Sequence, residues 1–264
     1  MSQKDDGAFQ PTSGSMQGHA VNGAVALALA QLFKAPFQAA SLLLLPRLLQ
    51  PADYGIYAMI DPILSVLILG VDLGIGSAVI QAQSLTRAQV AGLFWAQVAL
   101  GVAGAVILFA ASPLIAGFYH DPRAGALAAA SSLFLIYYGF AMMPETLMNR
   151  QMMFGRLAII SAVGVSVGLF VGVVAAEAGL GYWALTLDFG ATCLVNGIGV
   201  WLCCGWLPRD KPDFKSLLRF FKFGGSIVAS DIGSLVSRQA DSVLVGRFLG
   251  PTQLGFYDRG TKLA

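Results

Sequence analysis

The sequence predicts an all-α integral membrane protein: one six-helix transmembrane lobe, then the first helix of a second, repeated lobe. Three observations predict it. Of 264 residues, 56% are apolar and only 11% are charged, where about 25% charged residues is usual in a soluble domain. Apolar runs of the roughly 20 residues needed to cross a hydrocarbon core recur along the chain. One segment also returns about 200 residues after its first appearance. So little charge cannot cover a water-soluble fold of this length, which excludes globular, coiled-coil and disordered classes. The runs are too long and too evenly apolar for ~10-residue barrel strands, and helices satisfy their own backbone in lipid.

The elements follow in order. Residues 1–19, rich in Ser, Gln, Gly and Asp, read as a flexible cytoplasmic tail. The first apolar run, 20–46, exceeds the ~7–15-residue core of a cleaved signal peptide and closes on Leu-Pro-Arg, not on a small-residue cleavage site. Further spans are expected at 54–80, 89–118, 125–144, 156–178 and 183–206, completing a lobe over 20–206. A basic linker, 207–222, follows. Its Lys211, Lys215 and Arg219 recur every four residues and would share one face of a short helix. Beside them Leu217, Leu218, Phe220 and Phe221 offer apolar surface. That helix either rests on anionic headgroups or simply carries the positive charge of a cytoplasmic loop. Residues 223–248 are the seventh apolar stretch, and 223–264 begins a second lobe that is incomplete, the chain stopping at Ala264 where an eighth helix should begin. With the amino terminus placed in the cytoplasm, nine Lys and Arg fall on that side and three (Arg47, Arg123, Arg247) outside, as the positive-inside rule requires.

The net charge of +2 lacks the clustered cations of a nucleic-acid binder. His19, His120, Cys193, Cys203 and Cys204 match no metal or redox spacing, so no metal or cofactor is expected, and the cysteines read as small buried apolar residues. No DxD cluster suggests sugar-transfer chemistry, and Asp210 and Asp213 flank Lys211-Pro212 in the linker. The chain does not read as an enzyme.

The repeat is the most informative feature. Residues 44–57 read LLPRLLQPADYGIY and 244–257 read LVGRFLGPTQLGFY. Six of fourteen positions are identical, among them Arg47/Arg247, Pro51/Pro251, Gly55/Gly255 and Tyr57/Tyr257. Each copy ends a span and turns into the next, which suits an interfacial Arg, a helix-stopping Pro and an interfacial Tyr. A repeat after six helices keeps its orientation, so two parallel six-helix lobes are implied.

The run LLLPRLLQPADYGIYAM (43–59) followed by DLGIGSAVIQ (72–81) resembles the amino-terminal signature of bacterial polysaccharide flippases, within the multidrug/oligosaccharidyl-lipid/polysaccharide exporter superfamily. FYHDPR (118–123), MPETLMNRQMMFGRLA (143–158), GYWAL (181–185) and ADSVLVGRFLGPTQLGFYDR (240–259) continue the resemblance in order. It implies a multi-pass protein of the bacterial cytoplasmic membrane that carries undecaprenyl-diphosphate-linked oligosaccharide between leaflets. The pathway would be O-antigen, exopolysaccharide or capsule synthesis. Implied partners are the lipid-linked substrate, membrane lipids, a polysaccharide polymerase and glycosyltransferases, with proton or sodium coupling.

Charges inside spans are costly and mark functional candidates. They are Lys34, Asp61, Asp72, Asp188, Asp231, Arg238 and Asp241. In the 200-residue register Lys34 aligns with Ser234 and Arg238 with Gln38, one helical turn apart on equivalent helices. Lys34 lies about twelve residues, or ~18 Å, from the outer end of its helix. Two such cations facing a cleft suit a diphosphate or an acidic sugar. They could equally be neutralised, Arg238 by Asp241 on the same helix face and Lys34 by Asp61. Asp61 and Asp188 are cavity or proton-coupling carboxylates, or helix partners, and Asp241 is a cavity candidate that a salt bridge to Arg238 would equally explain. Asp72, before a Gly-rich turn, has a local structural role. Gly164 and Gly168 form a close-packing face. A cation-coupled drug or metabolite antiporter of the same superfamily, and an inactive truncated remnant, are the alternative functions.

Overall fold

The computed structural model of the protein describes residues 34–37, 40–41, 43–82, 84–213 and 217–263, the side chains of 217–232, 236, 262 and 263 excepted. The expected tail 1–19, most of the span 20–46 and the side chains of Asp231, Lys215 and Arg219 lie outside the described residues. Seven helices are designated α1 (Pro51–Asp72), α2 (Ile75–Gln81), α3 (Arg87–Tyr119), α4 (Pro122–Arg150), α5 (Phe154–Glu177), α6 (Tyr182–Cys204) and α7 (Leu217–Leu263). Before them, residues 43–48 are helical and carry the first span's end through Pro46 to Leu48. Five helical stretches among the described residues, with α1 and α2 as one, are long and apolar enough to cross a membrane. The all-α membrane fold stands.

The boundaries follow local chemistry. At α1, Pro51 occupies the first turn, where its missing N–H costs nothing, and the Gln50 N–H donates to Asp53 at 3.0 Å. Leu73 and Gly74 then turn left-handed (φ 43° and 71°), splitting the expected 54–80 span into α1 and α2. Asp72 serves this break: its carboxylate accepts the Gly76 N–H at 3.0 Å and the Gln97 amide at 3.4 Å. That is the local role read from its sequence position. Thr86 and Gln89 form a reciprocal capping box that starts α3. Asp121 caps α4, accepting the Arg123 N–H at 2.9 Å and pairing with the Arg123 guanidinium at 2.8 Å. Gly205, left-handed at φ 65°, closes α6.

Two boundaries differ from the expectation. Helix α4 runs on to Arg150, past the expected end at 144, because Pro144 sits within the helix without stopping it. That extension keeps Glu145 and Asn149 on the helix. The linker also departs from the expected short helix: residues 205–213 have no helical structure, so Lys211 shares no helix face with Arg219, which belongs to α7. Instead the linker lies across the first turns of α3, the Asp213 N–H donating to the Ala88 carbonyl at 3.0 Å. Pro212 favours this extended path by disfavouring helix at the residue before it.

Packing is tightest where glycines face polar or backbone groups. Along α5, Gly164, Gly168 and Gly172 form a ladder against Asn196, Thr192 and Asp188 of α6. The Thr192 hydroxyl donates across to the Gly164 carbonyl at 3.3 Å. The GxxxG face read from the sequence is therefore the α5–α6 interface, and what it admits is a row of polar side chains. Arg150, only 6% exposed, donates to the Val79 carbonyl at 2.5 Å and the Ile80 carbonyl at 3.1 Å. It caps the carboxyl end of α2, a place where cationic side chains are favoured. All three cysteines are free thiols; Cys193 and Cys204 are buried, as the apolar reading anticipated, whereas Cys203 is only partly buried. Phe109, Leu114, Phe170 and Leu202 are largely exposed, the pattern of helices whose outer faces meet lipid.

Candidate substrate seam and lobe cavity

The two copies of the repeat touch each other. A Cβ on Gly55 would overlap the Pro251 carbonyl, and a Cβ on Gly255 would overlap the Pro51 carbonyl. The contact is reciprocal: residue i meets j+200 while j meets i+200. That is the signature of an isologous, two-fold-related interface, here within one chain. The Arg259 guanidinium stacks 3.4 Å from the centre of the Tyr54 ring. At the register-equivalent place Met59 and Leu254 converge on Gly246. Gly250, at φ 82° and ψ 177°, breaks α7 just before Pro251, so 251–263 begins a helix as Pro51 begins α1. The eighth helix expected beyond Ala264 has therefore already started inside the chain.

Polar groups gather beside this seam. The Gln239 amide of α7 donates to the Asp61 carboxylate of α1 at 3.4 Å. The Tyr57 ring lies within electrostatic reach of both Asp61 and Asp188, so these two acids, 127 positions apart in sequence, belong to one neighbourhood. Asp188 is half-buried, its side chain lying over Gly168 and Gly172. Asp241 is exposed and accepts the Tyr257 hydroxyl at 3.1 Å. Its partner is thus the repeat tyrosine, and no Arg238–Asp241 ion pair forms among the described residues. Arg238 is exposed on α7.

Lys34 occupies a different place. It lines an open cavity of about 210 Å³ inside the lobe, with Glu145 and Asn149 of α4, Ser161 of α5 and Asn196 of α6. Glu145, exposed to this cavity, lies within electrostatic reach of Lys34. The Asn196 carbonyl oxygen is buried there with no hydrogen-bond partner among the described residues. The α6 row Asp188–Thr192–Asn196 therefore connects the seam neighbourhood to the cavity along one helix face. Glu145, Asn196, Gln239 and Tyr57 were missed in the sequence. Glu145 falls just past the expected span end at 144, six residues short of the end of α4, and Tyr57 reads from sequence only as an interfacial ring. No group of three His, Cys, Asp or Glu side chains suited to a metal gathers among the described residues.

The polysaccharide biosynthesis protein family profile matches residues 44–264. The chain is 25% identical over 221 residues to the succinoglycan biosynthesis transport protein ExoT of Rhizobium meliloti, covering 84% of this chain and 45% of that protein. It is 28% identical over 192 residues to the teichuronic acid biosynthesis protein TuaB of Bacillus subtilis, covering 71% and 39%. It is 22% identical over 256 residues to the lipopolysaccharide biosynthesis protein WzxC of Escherichia coli, covering 95% and 51%. The chain thus spans about half the length of the curated relatives it matches. No solved structure gives a significant match. With apolar helices suited to repeated membrane crossing and a family profile matched from the first repeat to the last residue, this multi-pass bacterial membrane protein belongs to the polysaccharide biosynthesis protein family.

Proposed function

We propose that this chain supplies the first lobe, the linker and the opening of the second lobe of a flippase. Its cargo is undecaprenyl-diphosphate-linked oligosaccharide, moved across the bacterial cytoplasmic membrane by alternating access, with the amino terminus in the cytoplasm. The observation that carries this reading is the reciprocal Gly55–Pro251 and Gly255–Pro51 packing with the Asp61–Gln239 contact beside it. Two equivalent lobes rocking about such a seam expose one polar cleft to alternate sides. In this reading Lys34 and Arg238 attract the diphosphate or an acidic sugar, and Asp61, Asp188 and Asp241 line the route. Protonation or sodium binding at the carboxylates is the coupling step, and a polymerase and glycosyltransferases act before and after transport.

The test is rescue. The protein, expressed from its complete reading frame in a strain lacking its lipid-linked-oligosaccharide flippase, restores surface glycan. Membrane insertion without restored glycan, together with resistance to toxic organic cations, would instead establish the antiporter alternative.

A further inference from the structure

Where α3 begins and α6 ends, a second cavity of about 290 Å³ opens. Its walls include Arg87, Gln151, Trp206, Leu207, Arg209 and Asp210. It shares no residue with the Lys34 cavity. The first residue of α3, the α4–α5 turn and the linker after α6 meet there. Arg87 occupies the first position of α3, where the helix dipole adds partial positive charge to its own. Arg209 comes from the linker that crosses α3, held there by the bond from Asp213 to Ala88. Among the described residues neither arginine lies within 4.0 Å of Asp210 or of any other carboxylate.

Trp206 supplies an independent observation. The residue is 95% buried, its exposure being 5%, and its indole N–H has no hydrogen-bond partner among the described residues. Its ring is fixed by stacking on Trp201 at 6.3 Å and by an edge contact with Phe94 at 5.7 Å. A buried donor without an acceptor carries a penalty that a ligand oxygen would remove. Arg87, Arg209, Gln151 and Trp206 line one space together with Asp210, and guanidinium, amide and indole donors suit phosphate oxygens. Leu207, 50% exposed, lines it, and Leu202 in the last turn of α6 is 79% exposed. Tryptophan and arginine at the end of a spanning bundle are the usual neighbours of headgroups.

We infer that this cavity binds the phosphodiester headgroup of an anionic membrane phospholipid, with Arg87 and Arg209 as its cations, Trp206 and Gln151 as neutral donors, and the acyl chains lying over Leu202 and Leu207. The site is separate from the transport seam and stands whether or not the flippase reading does.

Native mass spectrometry of the full chain, released from detergent with phosphatidylglycerol, phosphatidylcholine or inorganic diphosphate, tests it. Wild type retains phosphatidylglycerol over phosphatidylcholine and over diphosphate. The double variant Arg87→Gln/Arg209→Gln loses that retention about tenfold, and Trp206→Phe, which keeps the ring packing, loses it about threefold. Arg156→Gln, an exposed cation at the same end of the bundle but outside the cavity, leaves it unchanged. Equal losses in Arg156→Gln and the double variant would reduce the effect to general surface charge and overturn the site. Undiminished retention in a double variant with wild-type helicity would overturn it as well. Diphosphate held as tightly as phosphatidylglycerol would overturn the lipid assignment.

Discussion

Single side chains here settle questions of charge. Asp121 is the clearest case outside the spans. Its hydrogen bonds to Arg123, stronger than the opposing effect of burial, hold its carboxyl below the usual range. A carboxylate with a depressed folded pKa contributes stability above its unfolded value near 4, and that contribution is lost as pH falls through the folded value. Asp121→Asn keeps an equivalent cap but loses the ion pair with Arg123, and should lower stability at pH 7 by about 0.5 kcal/mol. The gap from wild type should narrow below about pH 4, as thermal melts across pH would show. Lys34 and Arg238 carry the transport prediction. With membrane abundance unchanged, Lys34→Ala and Arg238→Ala should each reduce surface glycan roughly tenfold, the scale of one charge-assisted contact to phosphate. Glycan display at the wild-type level in both variants would remove these cations from the transport route.

Helices show which features a sequence declares and which it hides. Span existence was legible because a 20-residue apolar run has few alternatives, and the GxxxG spacing on α5 led to its partner face. The split between α1 and α2 was not legible, since Leu73 gives no hint of a left-handed backbone. Nor was the buried role of Arg150, which the positive-inside count had treated as a surface charge. Its place is set by the α2 carbonyls that it caps, a contact 71 positions away in sequence. Arg150→Met keeps the volume and removes the donors, and should cost about 1–3 kcal/mol for the buried carbonyls left unpaired. Denaturant titration in micelles measures this. Gly168→Val would drive two methyl groups into Thr192 and Asp188, a clash expected to cost about 1–3 kcal/mol. Reduced protein in the membrane and a lower melting point are the readouts, and unchanged values would show that α5 and α6 separate freely.

The molecule as a whole is organised by its repeat. Two segments with six identities in fourteen residues meet in space through reciprocal glycine–proline contacts, because a close two-fold approach places the same glycine and proline on both sides. The candidate residues were less legible. Five of the seven charges chosen for their cost in lipid fell into separate settings: Asp61 and Asp188 share the Tyr57 neighbourhood, Asp241 bonds to Tyr257, Arg238 is exposed on α7, and Lys34 lines a cavity with Glu145. Spacing along a chain cannot say which helix faces a charge, and the neighbour decides its role. The central claim is that the two copies move against each other at this seam during transport. The most direct test replaces Cys193, Cys203 and Cys204 with Ser and introduces Met59→Cys with Leu254→Cys in the complete protein, at the place where their native side chains converge on Gly246. Mild oxidation should cross-link the pair and abolish glycan export, and reductant should restore it relative to each single variant. Efficient cross-linking with export undiminished would contradict the account, because a fixed seam would then be enough for transport.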